Sequence, residues 1–376
     1  MGVDRGRDGI RLLGLITDGY GAYGGISQFN RDLIDALAAN AKLSDIAFVA
    51  RAGSGLAPQE GLRNVQYQVA KGGKAGFAMA ALLMALRLRP QIVLIGHINF
   101  CWFGLLIARL VNARAVLIVY GGEAWRARRS AWVNRSVPKV DCVASISQLT
   151  LDRLLAWAPV PRERTILLPC SVDLRRFTPG PKPQRLLQAH GLAGRTVIMT
   201  MGRLAAQERQ KGFDEIIEQL PRLTKLRPDL SYLICGKGSD EARLRQKARD
   251  LGVDMHVVFA GFVSEADKPD YYRMADAYVM PSRAEGFGIV ILEALACGLP
   301  VLGSCLDGTG EVLARAQTGR VVDPRNGDDV FQGVLDVLER RPACVAPPRL
   351  ESFSSTQWHL QVDALLQRVA GGASAP

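Results

Sequence analysis

The chain is poor in the patterns that make a metal site. Its seven cysteines, at 101, 142, 170, 235, 297, 305 and 344, include no C-x-x-C pair. Its four histidines, at 97, 190, 256 and 359, include no H-E-x-x-H. Neither set has zinc-ligand spacing, and an odd, scattered set of cysteines argues against a disulfide framework and for reduced thiols in the cytosol. Long apolar runs are also missing. The longest without a charge, "AGFAMAALLMAL" at 75–86, falls well short of the ~20 residues of a spanning helix. The first residues lack the apolar stretch of a signal peptide, so a chain that does not cross a membrane is expected.

Acidic residues are scarce in one half only. Residues 1–180 hold 23 Lys and Arg against 12 Asp and Glu, whereas 181–376 hold 24 of each, so the whole excess of +11 lies in the first half. A charge so placed suggests an anionic partner. No nucleic-acid module is recognisable, which leaves an acidic membrane surface as the expected partner and no nucleic acid. The stretch "EAWRARRSAWVNR" sharpens this, because Arg126, Arg128, Arg129 and Arg135 alternate with Trp125, Trp132 and Val133. Tryptophan among arginines suits lipid headgroups. "KGGKAGFAMAALLMALRLR" at 71–89 invites the same reading, but its apolar face is assigned to the core.

With 48% hydrophobic and 22% charged residues the chain is of globular composition, and 376 residues suffice for two domains. Strand-like apolar runs alternate with helical segments from "RLLGLIT" to "RTILLPCSVD". The segment "FTPGPKPQ", with Pro179, Pro181 and Pro183, interrupts the series, which restarts at "TVIMTMG". Two βα series predict two Rossmann-like domains with parallel sheets. The expected limits are 1–178 for the first domain and 179–350 for the second. The last helix, within 351–376, would pack back on the first domain and end in the frayed tail "GGASAP".

The first strand runs into "DGYGAYGGIS", where Gly19, Gly21 and Gly24 read G-x-G-x-x-G before a helix. Strand, glycine turn and helix in that order fit an NAD(P) fingerprint. A carboxylate for the ribose should then end the second strand, yet "IAFVARAG" ends in Arg51, which only an NADP enzyme would use. That reading stays open on this loop alone.

The second half carries more. In "MPSRAEGFGIVILEALACGLPVLGS", residues 280–304, a strand leads to Gly286 and Gly288 and then to a helix from Ile289. Glycines let the backbone approach a ligand, and N–H groups at a helix start suit phosphate. Glu285 lies in this loop, and Glu293 lies about one turn into the helix. A carboxylate so placed accepts two hydroxyls of a ribose or hexose. In "MGRLAAQERQKGFDE", residues 201–215, Gly202 and Arg203 end a strand and Lys211–Gly212 open a helix. Such cations neutralise a diphosphate and the charge of a departing one. Gly236 and Gly238 in "GKG" end another strand. The stretch "FAGFVSEAD" at 259–267 would frame a base with backbone groups of Phe262, Val263 and Ser264.

Together these residues resemble the retaining glycosyltransferases of the GT-B fold, group 1 or family 4. The family's E-x7-E motif stands here as Glu285 and Glu293, its G-R…K-G pair as Arg203 and Lys211. "LPCSVDLRRF" at 168–177 is similar to its interdomain P-N-G-V-D segment, with Cys170 and Ser171 in place of Asn-Gly. The resemblance covers nearly the whole chain and is closest from about 195 to 325.

It implies an α/β GT-B fold, two Rossmann-like domains facing a central cleft. Glu293 would bind the ribose of a UDP- or GDP-type sugar nucleotide, and Glu285 the hydroxyls of the transferred sugar. Arg203, Lys211, Gly202, Gly236 and the backbone at Gly286, Phe287, Gly288, Ile289 and Val290 would surround the nucleotide. Gly24 and Gly25 match the family's first glycine loop and would lie nearest the ligand. His97, at the end of "QIVLIGH", stands where the family often has a histidine near the reacting sugar. Glu285, His97, Arg203 and Lys211 form the catalytic set so implied. Glu123 in "VYGGEAW" resembles the family's H-G-x-E corner, with Tyr120 and Gly121 replacing His-Gly. The implied reaction is hexose transfer with retention, by front-face attack, with no metal or prosthetic group. The acceptor would be a saccharide or polyprenyl-linked saccharide of bacterial envelope or exopolysaccharide assembly, reached from the cytosolic face of the inner membrane. A soluble small-molecule acceptor is the same-fold alternative. An NAD(P) oxidoreductase and an inactive binding module are the readings from other classes.

Overall fold

Strands such as "IVLIG" and "LSYLIC" are apolar along almost their whole length, which suits a parallel sheet covered on both faces. A computed structural model describes residues 9–21, 23–53 and 64–371; the tail expected to fray at 372–376 lies outside the described residues. The chain forms two compact units, one of residues 1–170 with 356–376 and the other of 171–355.

The first unit runs β1 (Ile10–Ile16), α1 (Gly25–Ala38), β2 (Leu43–Ala50), β3 (Val65–Val69), α2 (Gly73–Leu88), β4 (Ile92–Gly96), α3 (Cys101–Leu110), β5 (Arg114–Val119), α4 (Ala131–Ser136), β6 (Cys142–Ser145), α5 (Gln148–Leu155) and β7 (Thr165–Leu167). Its seven strands pair in parallel in the order β3-β2-β1-β4-β5-β6-β7. One core cluster lies under α2, α3 and α4, with Phe77, Ala81, Leu105, Ala108 and Val133 against Val93, Ile95 and Leu117 of the sheet.

The second unit contains α6 (Gln184–Ala189), β8 (Thr196–Met201), α7 (Phe213–Leu226), β9 (Leu230–Cys235), α8 (Glu241–Asp250), β10 (Val257–Gly261), α9 (Lys268–Met274), β11 (Ala277–Val279), α10 (Ile289–Ala296), β12 (Val301–Ser304), α11 (Gly308–Ala316), β13 (Arg320–Val322) and α12 (Gly327–Leu338). Its strands are parallel in the order β10-β9-β8-β11-β12-β13. The final helix, α13 (Ser355–Gly371), returns almost whole to the first unit. There the Trp358 ring meets Phe29 of α1 edge-on at 5.1 Å, its Nε1 donates to the Asp32 carbonyl, and Asp363 pairs with Lys42 at 2.8 Å.

Both sheets are α/β and doubly wound, as the alternation of elements predicts. The strand order reverses between β1 and β4 in the first sheet and between β8 and β11 in the second. Loops leaving the carboxyl ends of neighbouring strands diverge at such a point and leave a crevice for ligands. The glycine loop and His97 follow β1 and β4; Arg203 and Glu285 follow β8 and β11. The glycine loop, His97, Arg203 and Glu285 therefore sit at the reversal point of their own sheet, whereas Glu123, Gly236 and the 262–264 corner follow the neighbouring strands β5, β9 and β10.

Candidate active site

In the second unit the site is built by two loops that lock together. The first leaves β8 through Gly202 and reaches α7 at Lys211–Gly212; the second leaves β11 at Met280 and reaches α10 at Gly288. Gly212 is left-handed at φ 88°, and a Cβ there would come 2.9 Å from Pro281 Cδ. Arg283 N donates to the Gln210 carbonyl across the same seam at 2.8 Å, and the Arg283 guanidinium pairs with Glu215 at 2.7 Å. No larger residue than glycine fits this crossing without moving a loop.

Lys211 Nζ lies 3.0 Å from Glu285 Oε2, both side chains mostly covered. The Glu285 charge raises the Lys211 pKa against the opposing effect of burial, so the ammonium stays charged. Arg203 is more exposed and pairs with Glu208. Both cations assigned to a diphosphate are thus held by carboxylates of their own site.

Glu285 is fixed through its backbone by Asp307, which caps α11. Asp307 Oδ2 accepts from Glu285 N at 3.0 Å and from Ser282 Oγ at 2.5 Å; Oδ1 accepts from Thr309 N and Oγ1. Glu285 O accepts from Gly308 N at 2.9 Å, and a Cβ on Gly308 would lie 2.3 Å from Gly286 O. Burial pushes the Asp307 carboxyl up to about 6, despite these hydrogen bonds. Gly288 adopts φ 96° at the start of α10, where no side chain caps the helix. An anion at that end would satisfy N–H groups that have no intrahelical partner.

Glu293 is 3% exposed. Its Oε1 pairs with Lys268 Nζ at 3.0 Å, and its Oε2 accepts from Tyr272 OH at 2.6 Å, both from α9. Burial disfavours charge on Lys268, but the carboxylates of Glu293 and Glu265 outweigh it and raise its pKa. Burial, then the nearby Glu293, holds the Tyr272 hydroxyl well above its ordinary value. Each carboxylate oxygen of Glu293 carries a second lone pair, so hydroxyl acceptors remain beyond these two bonds.

The remaining strand ends lie close together. Gly202 N donates to Cys235 O, Gly236 N donates to Gly261 O, and a Cβ on Gly236 would sit 1.9 Å from Gly202 O. Phe262 is exposed and Val263 is buried, and Ser264 Oγ donates to Asp267 at the start of α9. Gly202, Arg203, Lys211, Gly236, the 262–264 corner, Gly286–Val290, Glu285 and Glu293 therefore all lie on the carboxyl ends of β8–β11 or the helix starts that follow.

His97, Gly24, Gly25 and Glu123 belong to the first unit. His97 Nδ1 accepts from Asn99 N at 3.1 Å, which leaves the ring proton on Nε2. Burial, then Arg128 and Arg51, lowers the imidazole pKa to about 4, so the ring is neutral near pH 7. The glycine loop is tied to α1: Ser27 Oγ donates to Asp18 Oδ1, Asn30 Nδ2 to Asp18 O, and Arg31 Nη1 to Gly19 O. Gly24 has φ 122°, and a Cβ there would meet nothing within 4 Å. Glu123 is used locally, its Oε1 accepting from Tyr120 N at 2.5 Å and Gly121 N at 3.2 Å.

Asp307, Lys268 and Tyr272 escaped the sequence reading. Asp307 precedes "GTG" as a helix cap does, a signal for α11 but not for its grip on Glu285. Nothing local in "KPDYYRM" points to Glu293. Among the described residues no group of three or more His, Cys, Asp or Glu could hold a metal ion.

Two family models match: "Glycosyl transferases group 1" over residues 185–349 and "Glycosyltransferase Family 4" over 23–176. A GDP-mannose-dependent alpha-(1-6)-phosphatidylinositol monomannoside mannosyltransferase of Mycolicibacterium smegmatis is 34% identical over 62% of the chain and 63% of the relative. The matched region thus spans somewhat under two thirds of that relative. Sucrose-phosphate synthase of Thermosynechococcus elongatus superposes with TM-score 0.80 at 21% identity, over 97% of this chain and all of that one. Anabaena HepE in complex with UDP gives 0.78 at 18% identity, over 95% of this chain and 100% of the other. These structures carry the fold alone.

Proposed function

The chain belongs to the group 1, or family 4, glycosyltransferases, and on that footing we propose that it transfers a hexose, with retention, from a nucleotide-diphosphate sugar to a lipid-linked saccharide. The observation that carries the proposal is the pairing of Lys211 with Glu285 at the β8/β11 reversal point, with Glu293 one turn into α10. Glu293 takes the ribose hydroxyls on its free lone pairs. Glu285 takes hydroxyls of the transferred sugar. Arg203, Lys211 and the N–H groups at the start of α10 face the diphosphate. They neutralise the charge that grows as the anomeric C–O bond breaks, which is the work a metal does in other transferases.

Retention follows from attack on the face the leaving group departs from. The acceptor oxygen forms the new bond to the anomeric carbon as the bond to the diphosphate breaks. The acceptor proton passes to the departing phosphate oxygen. In the first unit the neutral His97 offers its Nε2–H to a sugar hydroxyl, and Gly24–Gly25 leave room for a ligand against the backbone. The donor then belongs to the second unit and the acceptor to the first. The name of the mycobacterial relative supports GDP-mannose as donor and a lipid as acceptor, and so a place at the cytosolic face of a membrane.

The test is hydrolysis of a panel of UDP-, GDP- and ADP-sugars, followed by the anomeric configuration of the product by NMR. Turnover of GDP-mannose with retained configuration is the expected result. Turnover of no donor, or an inverted product, overturns the reading.

A further inference from the structure

We propose that the outer face of α2, α3 and α4 docks the first unit on an anionic lipid surface. The need for such a surface rests on the lipid-acceptor reading above, whereas the face is marked by its own exposed side chains. The three helices bury one side in a common core, so their opposite sides share one surface of the unit.

That surface is inverted in its choice of apolar residues. α2 turns Phe77, Ala81 and Ala85 inward, yet exposes Met79, Leu83 and Leu86 by 57%, 59% and 50%. The sequence expectation put its apolar face in the core; the structure divides the apolar residues between two faces and sends the long aliphatics out. α3 does the same with Trp102, Leu106 and Leu110, while Cys101, Leu105 and Ala108 go in. Trp132 on α4 is 72% exposed. Soluble surfaces carry such residues singly, and a contiguous set marks a contact site.

Charge identifies the occupant. Residues 64–140 contain eleven Lys and Arg and one acid, Glu123, whose carboxylate accepts from the backbone N–H groups of Tyr120 and Gly121. Lys71 and Lys74 at the start of α2, Arg87 near its end, Arg109 on α3, and Arg126, Arg129 and Arg135 around α4 are exposed. Not all of the Trp-Arg stretch takes part. Trp125 donates to Thr150 and lies under Arg153, Val133 is buried, and Arg128 reaches Asn99 and the Glu123 carbonyl. An apolar ridge rimmed by cations, with tryptophan at its level, is the pattern of an interfacial surface. A second copy would bring two cationic rims together, which disfavours a dimer through this face. Among the described residues no helix is long and apolar enough to cross a membrane, so the contact is with the surface.

The full chain is sedimented at low salt with phosphatidylcholine vesicles, with and without phosphatidylglycerol. Binding to the anionic vesicles only, weakened by salt, is expected. Leu83→Asp with Leu106→Asp should lower vesicle affinity by about tenfold or more, and Arg126→Ala with Arg129→Ala should lower both affinity and its salt dependence. Donor-sugar hydrolysis and the thermal midpoint should be unchanged in both. Absence of wild-type binding, or equal binding by the leucine variant, overturns the proposal. So does a dimer that the leucine variant dissolves without lipid, which assigns the face to a second copy. A protein that binds vesicles yet hydrolyses no sugar nucleotide keeps the docking face and loses the transferase reading; the reverse result loses only the face.

Discussion

Lys211 Nζ stands 3.0 Å from Glu285 Oε2, joining the cation assigned to the diphosphate with the carboxylate assigned to the transferred sugar. The pair spans the two loops that meet where the strand order reverses, so each residue helps position the other. A ligand phosphate would compete with Glu285 for the ammonium.

Lys211→Ala should therefore do more than weaken nucleotide binding. It removes a donor aimed at the developing charge, and kcat/KM should fall by roughly 10²–10³. Glu285→Gln keeps the shape and loses the charge; turnover should drop while nucleotide affinity stays close to wild type. Steady-state kinetics with calorimetry on the free nucleotide separates the two. Loss of nucleotide affinity in Glu285→Gln would remove Glu285 from the sugar side of the site.

Glu293 and Lys268 form a mostly buried pair, at 3% and 15% side-chain exposure. Removing Glu293 leaves Lys268 with only the more exposed Glu265 as a partner, 3.0 Å away, at a loss of up to about 3 kcal/mol. Glu293→Ala should accordingly lower both nucleotide affinity and the thermal midpoint. Lys268→Ala in the Glu293→Ala background should restore part of the stability and none of the affinity, so the stability effects are non-additive. Unchanged nucleotide affinity in Glu293→Ala would refute the ribose assignment.

These pairs also mark where sequence reading ends. Glu285 with Glu293, and Arg203 with Lys211, were legible because each set lies within one loop-and-helix segment. The apolar strands were legible because two-sided burial leaves little room for polar residues. The pairing of Lys268 with Glu293 and of Asp307 with Glu285 N depends on which helices meet across the sheet, and no local spacing reports that. β3, "VQYQV", alternates polar and apolar at the sheet edge, the period-2 pattern of a half-buried strand, and so stands apart from the continuous apolar runs of the inner strands. The outward leucines of α2 were hidden by the helix itself, whose apolar residues occur on nearly every side, so periodicity selects no buried face.

Asp307 should report on the loop through pH. Its folded carboxyl titrates at about 6 against an ordinary 3.8. The folded state thus holds more protons than the unfolded between those values, and the contribution of Asp307 to stability declines as pH rises through that window. Asp307→Asn should flatten this slope in thermal melts. It also replaces one acceptor oxygen by a donor: an amide nitrogen in place of Oδ2 leaves Glu285 N without its acceptor, one in place of Oδ1 leaves Thr309 N without its acceptor, and kcat should fall about tenfold or more. A variant with wild-type turnover would show that the loop holds Glu285 without Asp307.

His97 gives the opposite sign. Burial, with Arg128 and Arg51, depresses its pKa from 6.5 to about 4. The unfolded chain binds more protons between those values, so the contribution of His97 to stability is lost as pH falls from 6.5 toward 4. His97→Gln should remove that loss while keeping a side-chain N–H donor, and His97→Ala should remove both. Turnover should therefore rank wild type, Gln, Ala, with the pH–rate profile of the wild type showing no His97 step between about pH 5 and 8. In thermal melts the slopes of His97 and Asp307 oppose each other, so the wild type alone would hide both; each single variant exposes the other. An imidazole that titrates near 6.5 by NMR would overturn the neutral-donor role.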